Sequence, residues 1–288
     1  MEMSEMSGLD ETPAGTVALG DRPVQRLGFG AMRISVAGGD PEVGRQLVRR
    51  AVDRGVTYID TANIYGLGRS EELIAEALHP YPPEVVIGTK SGYEMRMLAA
   101  GERRLPALGR PEHLKSECEN SLRRLGVDCI DLYQLHTPDP RVPYADSLGA
   151  LIELQQAGLI RHIGVSNVSA EQLAEALSMC RVVSVQNRYN VADREAEQVL
   201  CTCEQAGIAF IPWRPMIRSP AHRRVAARIG LAHGASEQQI ALAWLLRRSP
   251  VMLPIPGTTS LAHLDANIDA AWLELNTEEF TALAHGSG

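Results

Sequence analysis

Four residues in the first half of the chain carry side chains suited to proton chemistry. Asp60 closes the apolar run "VTYID", Lys90 closes "EVVIGTK", His136 closes "DLYQLH", and Tyr65 follows Asp60 by five positions. Asp and Lys are poor strand residues, and neither charge is stable alone in a low-dielectric interior, so a buried Asp60 and Lys90 are expected to pair. A tyrosine beside that lysine would feel a positive charge, which favours phenolate and lowers its pKa from about 10. So tuned, Tyr65 could give a proton to a developing alkoxide, and His136 could hydrogen-bond the same oxygen. The set has no nucleophile with its own base. It suits polarising and protonating a carbonyl while a hydride donor attacks carbon. Singly, each residue has a plainer reading as a turn residue, a solvated charge or a structural imidazole. Their succession at the ends of neighbouring runs is what points to a site.

Those runs belong to a recurring device. In "VDRGVTYID" (52–60), "RRLGVDCID" (123–131), "QQAGLIRHIG" (155–164) and "EQAGIAF" (204–210) a helical segment stops at glycine and a short apolar run follows. Glycine fits the left-handed position that ends a helix. Helices are expected at about 70–79, 110–126, 144–158, 168–180, 193–207 and 235–249; Ser169/Gln172 and a second Ser-x-x-Gln have capping-box spacing. Strands are expected near 26–29, 56–60, 84–89, 129–135, 161–165, 182–186, 208–212 and 251–255. Alternation on this scale means parallel strands joined by helical crossovers, and a (β/α)8 TIM barrel of about 250 residues fits it. A doubly wound open sheet is the rival. "TVALGDRPVQRLGFG" (16–30) places a Gly-Asp turn between apolar runs and predicts a short N-terminal β-hairpin. Residues 1–14 are expected to be a disordered tail and 15–288 a single barrel domain.

Barrel enzymes place reacting groups at the C-terminal ends of their strands. Besides the four residues above, those ends hold Ser166, Asn167, Gln186, Asn187 and Trp213. Composition narrows the partners. The 288 residues carry a net charge of −7 with both signs interspersed, no basic block and no long apolar run, which argues against nucleic-acid binding and a membrane span. The acidic, polar start is unlike a signal peptide, so a cytoplasmic protein is expected. The five cysteines (Cys118, Cys129, Cys180, Cys201, Cys203) form no CxxC and are read as reduced thiols, with no metal site.

At these residues the chain resembles an aldo-keto reductase, from about residue 20 to 275 and in chain order. "YIDTANIYG", "VVIGTK" and "DLYQLHTPD" resemble the family segments carrying the catalytic Asp60, Tyr65, Lys90 and His136; "GVSN" resembles the segment that holds the nicotinamide amide. The resemblance implies a (β/α)8 barrel that binds NADPH and passes its hydride to an aldehyde or ketone, with Tyr65 as acid tuned by Lys90 and Asp60, and His136 placing the carbonyl. It implies that Ser166, Asn167 and Gln186 hold the carboxamide, with Asp60 close by. Trp213 would stack on the nicotinamide, and Gly30, Ala31, Met32, Arg214 and Met216 would lie along the cofactor. Gly257, Thr258, Thr259 and His263 would meet the adenosine 2′-phosphate, and Asn267 the adenine.

"GFGAMR" (28–33) lacks the third glycine of a dinucleotide fingerprint. Many relatives carry Lys or Arg in the phosphate loop; here His263 is the candidate cation. "PMIRSPAHRRV" (215–225) contains no glycine, and its Arg218, Arg223 and Arg224 could meet the pyrophosphate or form a solvated helix face. The loop from Ser91 to Arg110 is long enough to be functional. Its Arg96, Arg103 and Arg104 could attract an anionic substrate or be surface charge, and Tyr93 and Met97 could line an apolar wall. Two other readings stay open: a noncatalytic nucleotide-binding barrel acting as a regulatory subunit, and a reductase of an imine, a sugar ketone or pyridoxal. A monomer or weak homo-oligomer is expected.

Overall fold

Local sequence signals set the elements. In the computed structural model, which describes residues 13–35, 39–94, 96–97 and 103–286, a hairpin of β1 (Thr16–Leu19) and β2 (Arg22–Gln25) comes first, turning through Gly20 and Asp21. There follow β3 (Phe29–Gly30), α1 (Pro41–Asp53), β4 (Tyr58–Asp60), α2 (Arg69–Leu78), β5 (Val86–Ser91), β6 (Arg96–Met97), β7 (Arg103–Arg104), α3 (Pro111–Leu125), β8 (Ile130–Leu135) and α4 (Tyr144–Gln156). The second half holds β9 (Ile160–Ser166), α5 (Ala170–Met179), β10 (Val182–Gln186), α6 (Glu197–Ala206), β11 (Ala209–Phe210), α7 (Pro220–His233), α8 (Glu237–Arg248), α9 (Leu261–Asp269) and α10 (Thr277–His285).

The four helix-ending glycines (Gly55, Gly126, Gly158, Gly207) all have positive φ, between 64° and 86°, where a side chain would be strained. Both capping boxes form, on Ser169 with Gln172 and on Ser236 with Gln239. Cys203 is buried and Cys201 half-buried on α6, and all five cysteines are free thiols.

Seven parallel strands run in the order β11-β10-β9-β8-β5-β4-β3. The curled sheet then closes through residues 251–256. On one side the Phe210 and Leu253 backbones exchange with Val251 and Phe210 (Phe210 N to Val251 O 2.8 Å, Leu253 N to Phe210 O 2.8 Å). On the other, Gly28 N donates to Pro254 O at 2.9 Å and Gly30 N to Pro256 O at 3.3 Å. This is the expected (β/α)8 barrel, and closure removes the open-sheet alternative. The eighth position is an extended segment rather than a regular strand, because Pro254 and Pro256 have no N–H to donate.

The barrel interior is filled by Tyr58, Val86, Leu132, Val183, Ala209, Ile211, Leu253 and Ile255, and Val17, Leu19 and Val24 of the hairpin pack onto the same cluster as a plug. Arg26 fastens that end. Among the described residues its guanidinium donates to carbonyls alone, those of Ala14 (2.9 Å), Leu246 (2.5 Å), Met252 (3.3 Å) and Ser249. Ala14, the last residue of the expected tail, is thus held in place; residues 1–12 lie outside the described part.

One segment differs from the sequence reading, and in another the helix that the reading left open forms. The 91–110 connection is a ribbon: β6 pairs antiparallel with β7, Tyr93 bridges Ala107, and Leu108 N donates to Gly92 O at 2.8 Å. The side chains of residues 95–104, and with them Arg96, Met97, Arg103 and Arg104, lie outside the described part. The basic stretch after β11 opens a helix, α7, with Pro220 in its first turn, where a missing N–H is harmless. No helix among the described residues is long and apolar enough to cross a membrane.

Candidate active site

Strand pairing brings the predicted residues to one mouth. Asp60 ends β4 opposite Gly88 of β5, Lys90 lies on β5 one residue from its end, and His136 N donates to Ser91 O at 2.8 Å just past the end of β8. Lys90 is fully buried; its Nζ lies 2.7 Å from Asp60 Oδ1 and 2.6 Å from the Thr61 carbonyl. Burial pushes Lys90 below its ordinary pKa, and the Asp60 charge and hydrogen bond work against that shift. The second Asp60 oxygen, Oδ2, accepts from Tyr58 Oη (3.0 Å), Gln186 Nε2 (3.0 Å) and Gln134 Nε2 (3.5 Å). Both oxygens of Asp60 and the Lys90 ammonium thus have hydrogen-bond partners, as a buried ion pair requires.

Tyr65 stands in the turn between β4 and α2, its N donating to Ala62 O at 3.0 Å. Lys90 Nζ lies 5.4 Å from its ring centroid, and the Tyr65 and His136 rings meet edge to face at 6.1 Å. The pKa direction corrects the sequence reading. Burial, then the Asp60 charge, then Tyr93 raise the phenol above its ordinary value; the lysine lies over the ring face and does not reverse this. Tyr65 is held as a protonated phenol at neutral pH.

His136 is 8% exposed and packs edge to face against Tyr93 at 4.8 Å. Burial, then the Lys90 charge, push it well below the ordinary imidazole range, so it is neutral at pH 7. Its Nδ1 is buried without a hydrogen-bond partner among the described residues. A neutral ring has one N–H, and placing it on Nε2 avoids burying an unmatched donor.

The amide segment forms one network. Ser166 Oγ donates to Gln186 O (2.6 Å), Asn167 Nδ2 donates to His136 O (2.9 Å) and Ser166 Oγ (3.1 Å), and Trp213 Nε1 donates to Asn167 Oδ1 (3.0 Å). Asn167 holds φ 57°, which asparagine tolerates better than most residues. The Ser166 hydroxyl and both Asn167 Nδ2 hydrogens are thus engaged within the protein, as is one N–H of Gln186, which bonds Asp60, and the oxygens of these side chains remain as acceptors for a ligand. Trp213 is half-buried, with Arg214 against its ring at 5.4 Å.

On the opposite side of the mouth, Gly30 and Gly257 lie in backbone contact. A Cβ on Gly30 would meet Ile255 O at 2.6 Å, and one on Gly257 would meet Gly30 O at 2.5 Å. Both glycines have a packing reason besides any ligand. Ala31 is buried, its carbonyl accepting from Ser70 Oγ at 3.0 Å, whereas Met32 is 54% exposed. Thr258 is buried and its Oγ1 accepts from Ser260 N at 3.1 Å. Ser260 caps α9 through His263 N at 3.4 Å. Thr259 and His263 are exposed, and Asn267 lies buried one turn further on. Asp265, between His263 and Asn267, is paired with Arg50 and Arg54 at 2.9 and 2.6 Å.

Of the three arginines beyond β11, Arg223 is committed to Glu237 at 2.6 Å and Arg224 is exposed on α7. Arg218 lines a cavity of about 400 Å³ with Arg214, half-buried Met216 and Arg188. Sequence reasoning missed Tyr58 and Gln134. The signal for both was strand periodicity, since each lies two residues before a mouth residue and so on the same face. No cluster of potential metal ligands occurs among the described residues.

The chain is 42% identical over 284 residues to an uncharacterized oxidoreductase of Schizosaccharomyces pombe, covering 96% of this chain and 91% of that one. It is 38% identical to pyridoxine 4-dehydrogenase of Escherichia coli, covering 94% and 97%. Among solved structures, an aldo-keto reductase from Klebsiella pneumoniae in complex with NADPH superposes with a TM-score of 0.80 at 27% identity, covering 94% of both chains. The family model for aldo/keto reductases matches residues 26–285, and the chain belongs to that family.

Proposed function

We propose that the protein is an NADPH-dependent carbonyl reductase, with Tyr65 as general acid. The observation that carries this reading is the meeting of Asp60, Tyr65, Lys90 and His136 at the ends of adjacent strands. A pure nucleotide binder has no use for a buried ion pair beside a phenol and a neutral imidazole.

The residues present fit the cofactor. Ser166, Asn167 and Gln186 offer acceptor oxygens beside Trp213, a match for the NH2 of a carboxamide. Thr259, just before the Ser260 cap, and His263, in the first turn of α9, stand exposed where backbone N–H groups and the helix dipole favour a phosphate. When bound, NADPH supplies the hydride.

The chain's own residues handle the proton. Tyr65 keeps its proton through neutral pH, because burial and Asp60 disfavour phenolate. His136 offers Nε2–H to the carbonyl oxygen, orienting it toward Tyr65 and stabilising charge as it develops. Lys90, held by Asp60 and the Thr61 carbonyl, sets a fixed positive charge against the Tyr65 ring and favours the phenolate left after proton transfer. Tyr93 and Met32 flank the opening as apolar surface. Pyridoxal is the first carbonyl to try, given the 38% identical pyridoxine 4-dehydrogenase.

The test is NADPH oxidation, followed by absorbance, against a panel of aldehydes, ketones and pyridoxal, for wild type and Tyr65→Phe. Turnover by wild type and its loss in the variant are expected. Undiminished turnover in the variant would remove Tyr65 from the acid role, and cofactor binding without turnover on any carbonyl would favour the regulatory reading.

A further inference from the structure

Beneath the catalytic residues the barrel holds a second polar layer that the mechanism above does not use. Tyr58 precedes Asp60 by two residues on β4, so both side chains point into the barrel. Its ring is fully buried in the apolar interior, and its hydroxyl donates to Asp60 Oδ2 at 3.0 Å. Gln134 reaches the same oxygen from β8 at 3.5 Å, and its own Oε1 accepts from Ser184 Oγ at 3.3 Å. The room for these groups is made by residues without side chains. A Cβ on Gly88 would lie 2.4 Å from Tyr58 Oη, one on Gly28 2.9 Å from the Tyr58 ring, and one on Gly164 2.8 Å from Gln134 Cγ. Three glycines thus carve a slot for a phenol and an amide that end on one carboxylate oxygen.

The apolar part of that slot would accept phenylalanine as well as tyrosine; only the hydroxyl needs Asp60. A hydrogen bond to a charged acceptor is stronger than a neutral one. In a dry interior a lysine–carboxylate pair is driven toward its neutral form by proton transfer, since separated charges are costly there. Each donor on the carboxylate opposes that transfer. Asp60 Oδ1 faces Lys90 while Oδ2 faces Tyr58, so Tyr58 bonds the aspartate of the pair while the lysine stands against the Tyr65 ring.

We propose that Tyr58 is a positioning residue for the active site: its hydroxyl, seconded by Gln134, orients Asp60 and keeps the Asp60–Lys90 pair charge-separated, so that a full positive charge stands beside Tyr65 and His136. The proposal rests on the carbonyl-reductase reading for its kinetic arm but not for its spectroscopic one.

The experiment uses the full chain with Tyr58→Phe. The expected result is a fall in kcat of about tenfold, with carbonyl KM and the NADPH Kd from fluorescence titration within about threefold. The second readout is the His136 imidazole, titrated by NMR in the ligand-free protein. His136 is depressed partly by the Lys90 charge, so drawing the lysine's proton toward Asp60 should move its titration upward, toward the ordinary imidazole range. A His136 titration unchanged in Tyr58→Phe overturns the proposal, whatever happens to kcat, because loss of packing alone would not act through the lysine's charge. If wild type reduces no carbonyl, the functional reading fails while the NMR arm still decides this one. If Tyr58→Phe does not fold, Gln134→Met is judged on the same titration: a smaller upward movement supports the proposal and none overturns it.

Discussion

Lys90 Nζ and Asp60 Oδ1 are 2.7 Å apart, the lysine side chain wholly closed to water and the aspartate nearly so. Each is tolerable in that place only because of the other. Asp60→Asn leaves a buried ammonium without its counter-charge and should lower stability by about 3–5 kcal/mol. The double variant Asp60→Asn/Lys90→Met should regain most of that loss without regaining turnover. Urea unfolding of the three proteins measures the first statement and carbonyl reduction the second. A double variant no more stable than Asp60→Asn would mean that the pair is not what makes the single change costly.

Tyr65→Phe removes one oxygen at the mouth and no packing volume. Turnover should fall by about 10²–10⁴-fold, the range for losing a positioned acid, with NADPH affinity within a factor of about two. Stopped-flow single-turnover kinetics would separate the chemical step from cofactor binding and release.

His136 makes stability depend on pH. Its folded-state pKa lies well below the ordinary value, so the unfolded chain takes up a proton first as the pH falls. The unfolded state then binds more protons than the folded one, and stability is lost below about pH 6.5, by up to about 1.4 kcal/mol per pH unit until the folded-state value is reached. Above that pH the group contributes no slope. His136→Gln should flatten this part of the profile, which denaturant midpoints measured from pH 4 to 8 would reveal.

At the start of α9, His263 is the exposed side chain placed to meet a phosphate, and Asp265 beside it is neutralised by Arg50 and Arg54. His263→Arg should tighten NADPH binding by about fivefold to tenfold through a charge-assisted contact and leave NADH affinity unaltered. Fluorescence titrations with both nucleotides test this. Equal gains for the two would place the 2′-phosphate elsewhere.

What the sequence revealed depended on how local the cause was. The glycine stops at Gly55, Gly126, Gly158 and Gly207 and the boxes at Ser169 and Ser236 need only neighbouring residues, and they appear as expected. Strand ends gave the order Asp60, Lys90, His136, and parallel pairing brought them together. The ribbon in 91–110 was hidden because β6 and β7 are two residues each, too short for a period to show. The direction of the Tyr65 shift was misjudged because burial depth is a property of the assembled barrel. Arg223 reads as one of three equivalent cations in sequence, and only the packing of α7 on α8 assigns it to Glu237.

The closure of the barrel has a consequence for how the chain is made. Gly28 and Pro254 are joined by one backbone bond, and Arg26 reaches across 226 positions to Met252. Until the ribosome has released Pro256, β3 and β11 are both bare edges, each with amides free to pair with another nascent chain. The Asp60–Lys90 pair lies on the two strands next to one of those edges. Contacts this distant make for slow folding. A chain stopped short of residue 251 should therefore fail by aggregating rather than by yielding a smaller soluble domain.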